Sequence, residues 1–289
     1  MKILVTGGSG QLGQCLQELV KARSKDAIEF VFKSSSMLDI TNGKALSEDF
    51  NTNQYRYCIN CAAYTQVDKA ETEIDLARQI NSRGAKNLAQ ACNEVGATLI
   101  HISTDFVFSG KVQVPYTEND ICHPLSIYGQ TKLEGEEAIR VLLPHHVILR
   151  TSWLYSEYGN NFMKTMLRLG NERDSLSIIN DQKGSPTYAK DLAAAVLHII
   201  SLDTVAYGTY HFSNEGITTW YGFAKKIFEV ANIDIDLTPI PTSAYPTPAV
   251  RPKYSVLDKS KIKNKLGIQP LHWEERLEAA MKAFSSCSF

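Results

Sequence analysis

Three features of the chain predict an α/β fold: a Rossmann-type doubly wound parallel sheet with a smaller, interwoven C-terminal substrate-binding lobe. Short apolar runs alternate with amphipathic segments through the first half, the rhythm of parallel strands joined by crossover helices. A glycine-rich turn follows the first of those runs. Beyond residue 153 the rhythm changes, which marks a second unit.

Taken in order, residues 3–6 make a first strand, and Gly7-Gly8-Ser9-Gly10-Gln11-Leu12-Gly13 turns the chain into a helix over 12–22. Residues 28–32 form the second strand, 46–50 belong to a helical segment, and 57–61 form the next strand. Residues 76–96 read as one helix with Leu76, Ile80, Leu88, Ala91 and Val95 as its apolar stripe. A strand over 98–103, a helix entered at Tyr128 and a strand over 147–150 complete this half. Helices over 161–169, 188–201, 218–231 and 273–284 then alternate with strands over 176–180 and 208–213. Thr218 and Thr219 are available as caps of the third of these helices. Pro239, Pro241, Pro246, Pro248 and Pro252 exclude a regular helix or an inner strand along their stretch. Residues 1–152 are thus the dinucleotide-binding domain, with 187–213 returning to it, and 153–186 with 214–289 form the smaller lobe.

A chain of 289 residues with 44% hydrophobic and 21% charged residues has the balance of a globular enzyme. Its net charge of −1 gives no bulk attraction to nucleic acid or to a membrane surface. No window approaches the roughly 20 apolar residues of a membrane span. The opening apolar run is too short for a signal peptide, so a cytoplasmic protein is expected. Six cysteines are scattered without the density of a disulfide scaffold. Cys58-Ile59-Asn60-Cys61 has no second pair and no histidine at ligand spacing, so it reads as strand packing and no metal is expected.

The glycine turn has the context that a dinucleotide site requires. Gly7, Gly10 and Gly13 permit a tight turn and close backbone approach, and the following helix start offers free N–H groups to a pyrophosphate. Lys33-Ser34-Ser35-Ser36 closes the second strand without an acidic residue, which leans towards NADPH over NADH. Asp39 and Ile40 come later, where they could lie beside the adenine. Ala62 and Ala63 end a strand with small side chains, leaving room for a cofactor to cross the backbone. Thr104 and Asp105 place a hydroxyl and a carboxylate at the C-terminal edge of the sheet, where ligands of such folds bind.

Tyr128 and Lys132 are four residues apart on a helix, so they share a face. A lysine ammonium beside a tyrosine lowers the phenol's pKa, and the pair could protonate a carbonyl oxygen as hydride reaches its carbon. Tyr221 and Lys225 show the same spacing, but no strand of the first half precedes them. The Tyr128 pair therefore carries the chemistry.

These residues resemble the extended short-chain dehydrogenase/reductases, and within them the dTDP-4-dehydrorhamnose reductase family. The resemblance runs nearly end to end, through residues 60–71 (NCAAYTQVDKAE), 103–110 (STDFVFSG), 128–135 (YGQTKLEG), 150–155 (RTSWLY), 159–166 (GNNFMKTM), 179–187 (INDQKGSPT) and 244–252 (AYPTPAVRP). It implies reduction of the C4 ketone of a nucleotide sugar by NADPH or NADH, in a monomer or homodimer. It further implies Tyr128 as proton donor, Lys132 as its partner and holder of the nicotinamide ribose, and Thr104 as third catalytic member. Gly10, Gln11 and Leu12 would line the pyrophosphate, Asp39 and Ile40 the adenosine, and Ala62, Ala63 and Tyr64 the middle of the cofactor. Thr104, Asp105 and Trp153 would contact the sugar.

Departures from the family pattern narrow the reading. Phe106 stands where many members have tyrosine, and Tyr254 stands where asparagine is usual. Some relatives bind magnesium through acidic residues near the first helix and at the C-terminus, whereas this chain has Cys15 and an uncharged end at 285–289. A dehydratase on this scaffold would need an adjacent Asp-Glu pair, and Phe106 follows Asp105 instead. An epimerase shares the scaffold, and so does a catalytically silent nucleotide-binding subunit. Loss of the tyrosine, the lysine or the glycine turn would point to the silent subunit, and all three are present.

Overall fold

A computed structural model describes residues 1–22 and 28–287. Of the uncharged end at 285–289, the last two residues lie outside the described ones. The first half runs β1 (Lys2–Thr6), α1 (Gln11–Lys21), β2 (Glu29–Lys33), α2 (Gly43–Asn53), β3 (Tyr57–Asn60), α3 (Val67–Ala70), α4 (Ile74–Arg78), α5 (Ala85–Val95), β4 (Thr98–Thr104), α6 (Ile127–Leu142) and β5 (His146–Thr151). The second runs β6 (Leu154–Tyr155), α7 (Phe162–Glu172), β7 (Ser175–Ile179), β8 (Lys183–Gly184), β9 (Thr187–Tyr188), α8 (Ala189–Ser201), β10 (Gly208–His211), β11 (Thr218–Thr219), α9 (Trp220–Ala231), β12 (Asp236–Ile240), α10 (Ser260–Leu266) and α11 (Trp273–Cys287).

Six strands form one parallel sheet in the order β10-β5-β4-β3-β1-β2. Side chains alternate across a strand, so Ile3 and Val5 join the core under α1 and α8 while Leu4 joins the core under α2 and α5. Every residue of β3 and β5 is buried, as expected for strands covered on both faces. A third core, with Met163, Phe223, Ile227, Trp273 and Leu277, holds α7, α9 and α11 together in the second lobe.

One expectation fails. Residues 76–96 are not a single helix: a π-helical turn at Gln79–Gly84 separates α4 from α5, and Leu76 is exposed while Ala77 faces inward. The wider turn presents Asn81 inward, where its side chain takes both the N–H and the carbonyl of Tyr64 and reaches the Thr131 hydroxyl. Polar demand at that spot overrides the apolar stripe. Elsewhere Thr219 alone caps α9, accepting from the Gly222 N–H, while Thr218 pairs in β11. Pro239 lies within β12, which pairs with β7 in a two-stranded sheet, so the missing N–H faces no second neighbour.

Candidate active site

Strand order reverses between β1 and β3, and the crevice outside the carboxyl ends of the strands is where such sheets hold ligands. The glycine turn sits there. Gly7 has φ +66°, and a Cβ on it would lie 2.6 Å from the Ala62 nitrogen, so β1 and β3 come this close only around glycine. A Cβ at Gly13 would stand 2.5 Å from the Gly7 carbonyl. Gly10 is the N-cap of α1 and supplies no capping side chain, and no acidic residue occupies the first turn. The N–H groups of that turn, including those of Gln11 and Leu12, form an anion site of the kind a pyrophosphate fills. The chain around this turn therefore fits a dinucleotide.

Thr104 ends β4 and caps the single 3₁₀ turn Asp105–Val107, its Oγ1 accepting from the Phe106 N–H at 3.2 Å. The same hydroxyl donates to Asp105 Oδ1 at 3.0 Å and stands beside the Tyr128 hydroxyl, whose ionised form it favours. Tyr128 is held by the first turn of α6, which Ser126 caps by accepting from Gly129 N–H. That turn lies flush against the 3₁₀ turn because position 129 is glycine: a Cβ there would collide with the Phe106 carbonyl. Phe106 meets Tyr128 edge to face at 5.8 Å. Asp105 is buried, its Oδ2 has no partner at hydrogen-bonding geometry, and burial pushes its pKa up to about 6, opposed in part by the nearby Ser255 and Thr104 hydroxyls.

Lys132 is 2% exposed and donates to the Ile102 carbonyl at 2.6 Å, with His101 Nε2 at 3.3 Å. Burial lowers its pKa to about 8, opposed by Glu136 and Cys61. The expectation that Lys132 depresses the Tyr128 pKa does not hold here. Tyr128 is raised to about 12, by burial first and by Asp105, with only the Thr104 bond pulling down. The ammonium end of Lys132 is held by the Ile102 carbonyl and the His101 ring of β4.

Other predicted residues lie on the glycine turn, at strand ends and in the second lobe. The Gln11 side chain ties the glycine turn to the second lobe, accepting from Ser156 Oγ at 3.0 Å and from Asn161 Nδ2 at 2.8 Å. Ala62 and Ala63 follow β3 beside Gly7, half-buried. Tyr64 is buried in a small cluster with Ala70 and Ala77, its hydroxyl on Glu73. Asp39 is exposed and caps Thr41 N–H, whereas the Ile40 side chain is buried against Gly84. Lys33 ends β2, ion-paired with Asp49 at 2.5 Å. Trp153, just beyond β5, has φ +46°, a conformation costly for a bulky residue, and stacks on Trp220 at 3.7 Å over Gly184. Tyr221 lies half-buried in α9, and its Lys225 is exposed. Cys58 is fully buried beside Cys92, and no cluster of metal-ligating residues occurs among the described residues.

Sequence reasoning missed the polar floor beneath Lys132. Glu136, one turn further along α6, is fully buried, accepts from Ser103 at 2.5 Å and pairs with Arg150 at 2.7 Å. Asn60 and His101 form a second buried group on the other side. The available signal was polar residues within strands that are otherwise apolar, together with a glutamate four places after the lysine.

The model of a family described as the RmlD substrate binding domain matches residues 1–286. A dTDP-4-dehydrorhamnose reductase of Aggregatibacter actinomycetemcomitans is 42% identical over 287 residues, covering 96% of this chain and 97% of the relative. A crystal structure of a dTDP-4-dehydrorhamnose reductase from Clostridium acetobutylicum superposes with a TM-score of 0.95 at 45% identity, covering 99% of this chain and all of that one. One from Bacillus anthracis, solved in complex with NADP, gives a TM-score of 0.93 at 42% identity, covering 98% and 99%.

Proposed function

Since this chain belongs to the RmlD substrate binding domain family, we propose that it uses NADPH or NADH to reduce the C4 ketone of dTDP-4-dehydro-6-deoxy-L-mannose, giving dTDP-L-rhamnose. Gly7, Gly10, Gln11, Leu12 and Gly13 would hold the pyrophosphate, Asp39 and Ile40 would flank the adenosine, and Ala62, Ala63 and Tyr64 would border the middle of the cofactor. When bound, the cofactor supplies a hydride to C4. Tyr128 gives its proton to the C4 oxygen, and Thr104 holds the phenol in place. Lys132 anchors the ribose and neutralises the phenolate that proton transfer leaves behind. Asp105 and Trp153 face the sugar, with residues 153–186 and 214–289 as the lobe that covers it.

The observation that carries this reading is the Tyr128 hydroxyl set beside Thr104 at the end of β4, with Lys132 buried one turn below. A reductase needs its tyrosine protonated before the reaction, and a pKa raised to about 12 keeps the proton on at neutral pH. An alkoxide is a stronger base than a phenolate, so the transfer runs downhill even from so weak an acid. Thr104 has one proton and two claimants. At rest Thr104 Oγ1 donates to Asp105 Oδ1, and once Tyr128 has given up its proton the same hydroxyl is placed to donate to the phenolate, the form it favours.

The test mixes purified protein with NADPH or NADH and the 4-keto sugar nucleotide, and follows loss of reduced cofactor. Stoichiometric oxidation with a C4 alcohol as product is expected. Rearranged sugar without net oxidation would mean an epimerase, and no turnover would mean a binding subunit. Tyr128→Phe should retain cofactor affinity and lose at least about a hundredfold in kcat, the usual range for a general acid. A fully active variant overturns the proton-donor role.

A further inference from the structure

We propose that His101 is a positioning residue that Asn60 holds as its Nε2–H tautomer, so that it opposes the ammonium form of Lys132 and sets where that lysine titrates. The inference deepens the reductase reading and rests on it for its kinetic arm only.

The assignment follows from counting protons along one buried chain. The Ala62 backbone N–H, which can only donate, meets Asn60 Oδ1 at 3.1 Å, and the Thr6 hydroxyl meets the same oxygen at 2.7 Å. A flipped amide would set its NH2 against a backbone N–H, so the orientation of Asn60 is determined. Its Nδ2 then donates to His101 Nδ1 at 2.9 Å, which obliges that ring nitrogen to carry a lone pair. The neutral ring must keep its proton on Nε2, the atom 3.3 Å from Lys132 Nζ. An N–H facing an ammonium is a clash of donors, whereas an N–H facing a neutral amine is a hydrogen bond.

The doubly protonated ring is no escape. His101 is 1% exposed, and burial, with the Lys132 charge and His146 adding to it, holds its pKa well below the ordinary value. Other groups around Lys132 act in the opposite sense: Glu136 on the next turn of α6 and Cys61 after β3 both favour the charged lysine. Glu136 is in turn engaged by Arg150 of β5 and Ser103 of β4, and Tyr128 stands one turn back on the same helix. Lys132 is therefore poised between a glutamate network that favours its charge and a histidine that disfavours it. Its donation to the Ile102 carbonyl is compatible with either form.

The test uses the full chain labelled with ¹⁵N-histidine, where ring nitrogen shifts separate protonated from unprotonated nitrogens and His101→Phe assigns the signal. An unprotonated Nδ1 and a protonated Nε2 are expected; a proton on Nδ1 overturns the proposal. With lysine ¹³Cε labels, and Lys132→Arg for assignment, the Lys132 midpoint should rise by at least about one pH unit in His101→Phe, a tenfold gain in proton affinity. The alkaline limb of kcat/KM should move with it. An unmoved midpoint, or lower activity with an unmoved limb, reduces His101 to packing and overturns the proposal. Should His101→Phe not fold, Asn60→Asp offers oxygens to Ala62, Thr6 and His101 alike and should shift the ring proton to Nδ1; no shift overturns it. If the intact protein turns over no sugar nucleotide, the reductase reading fails while the two spectroscopic arms still decide this one.

Discussion

Asp105→Asn should stabilise the cofactor-free protein above pH 6 and destroy its activity. Asp105 is 2% exposed with one oxygen unpartnered, and burial raises its pKa from 3.8 to about 6. Between those values the folded state binds more protons than the unfolded state, so stability falls as pH rises through the window. A rise of about two units corresponds to about 3 kcal/mol between the protonated and ionised limits. Asparagine keeps the shape, its oxygen still accepts from Thr104, and its NH2 can meet the Ser255 hydroxyl, so the variant escapes this penalty. Urea denaturation from pH 4 to 8 on both proteins reads the gap, and subtracting one from the other removes every other titrating group. The variant should match the parent near pH 4 and exceed it by up to about 3 kcal/mol at pH 7.5. A gap that is constant with pH, or a less stable variant at pH 7.5, refutes the argument. Turnover should also drop, because the variant loses the carboxylate that is placed to face the sugar.

Three further outcomes are expected. Arg150→Met leaves the buried Glu136 carboxylate with the more exposed Arg140 and the Ser103 hydroxyl, removing the group that does most to hold its pKa down against burial. Breaking such a pair costs about 3–5 kcal/mol near neutrality. The loss should shrink towards pH 4 as Glu136 takes up a proton, which urea melts at two pH values will show. Gly129→Ala forces α6 away from the Phe106 carbonyl, costing about 1–3 kcal/mol in thermal or urea melts. By shifting Tyr128 off Thr104 it should also cut kcat about a hundredfold, with cofactor affinity read by fluorescence titration unchanged. Tyr221→Phe should leave kcat and KM as they are, since its Lys225 is exposed in the second lobe; a large loss in steady-state kinetics would reopen the choice between the two tyrosines.

What could be read from the chain divides along physical lines. Apolar runs and glycine turns are local, so the strands of the parallel sheet and the tight turn at Gly7 were legible without coordinates, whereas the approach of Gly7 to Ala62 was not. The π turn at Gln79–Gly84 was not, because it serves Asn81, whose partners Tyr64 and Thr131 lie 17 and 50 residues away. The i, i+4 spacing correctly put Tyr128 and Lys132 on one face but said nothing of where the lysine's end would point. Its direction is settled by β4, whose Ile102 carbonyl and His101 ring take hold of Nζ. Reading the ammonium as an acidifier of Tyr128 followed from spacing alone, and burial of both groups reverses the outcome in the protein by itself: the phenol is raised and the lysine lowered. That inversion suits a reductase. The proposed proton transfer needs a tyrosine that keeps its proton until an alkoxide forms, and a phenol raised to about 12 meets that requirement.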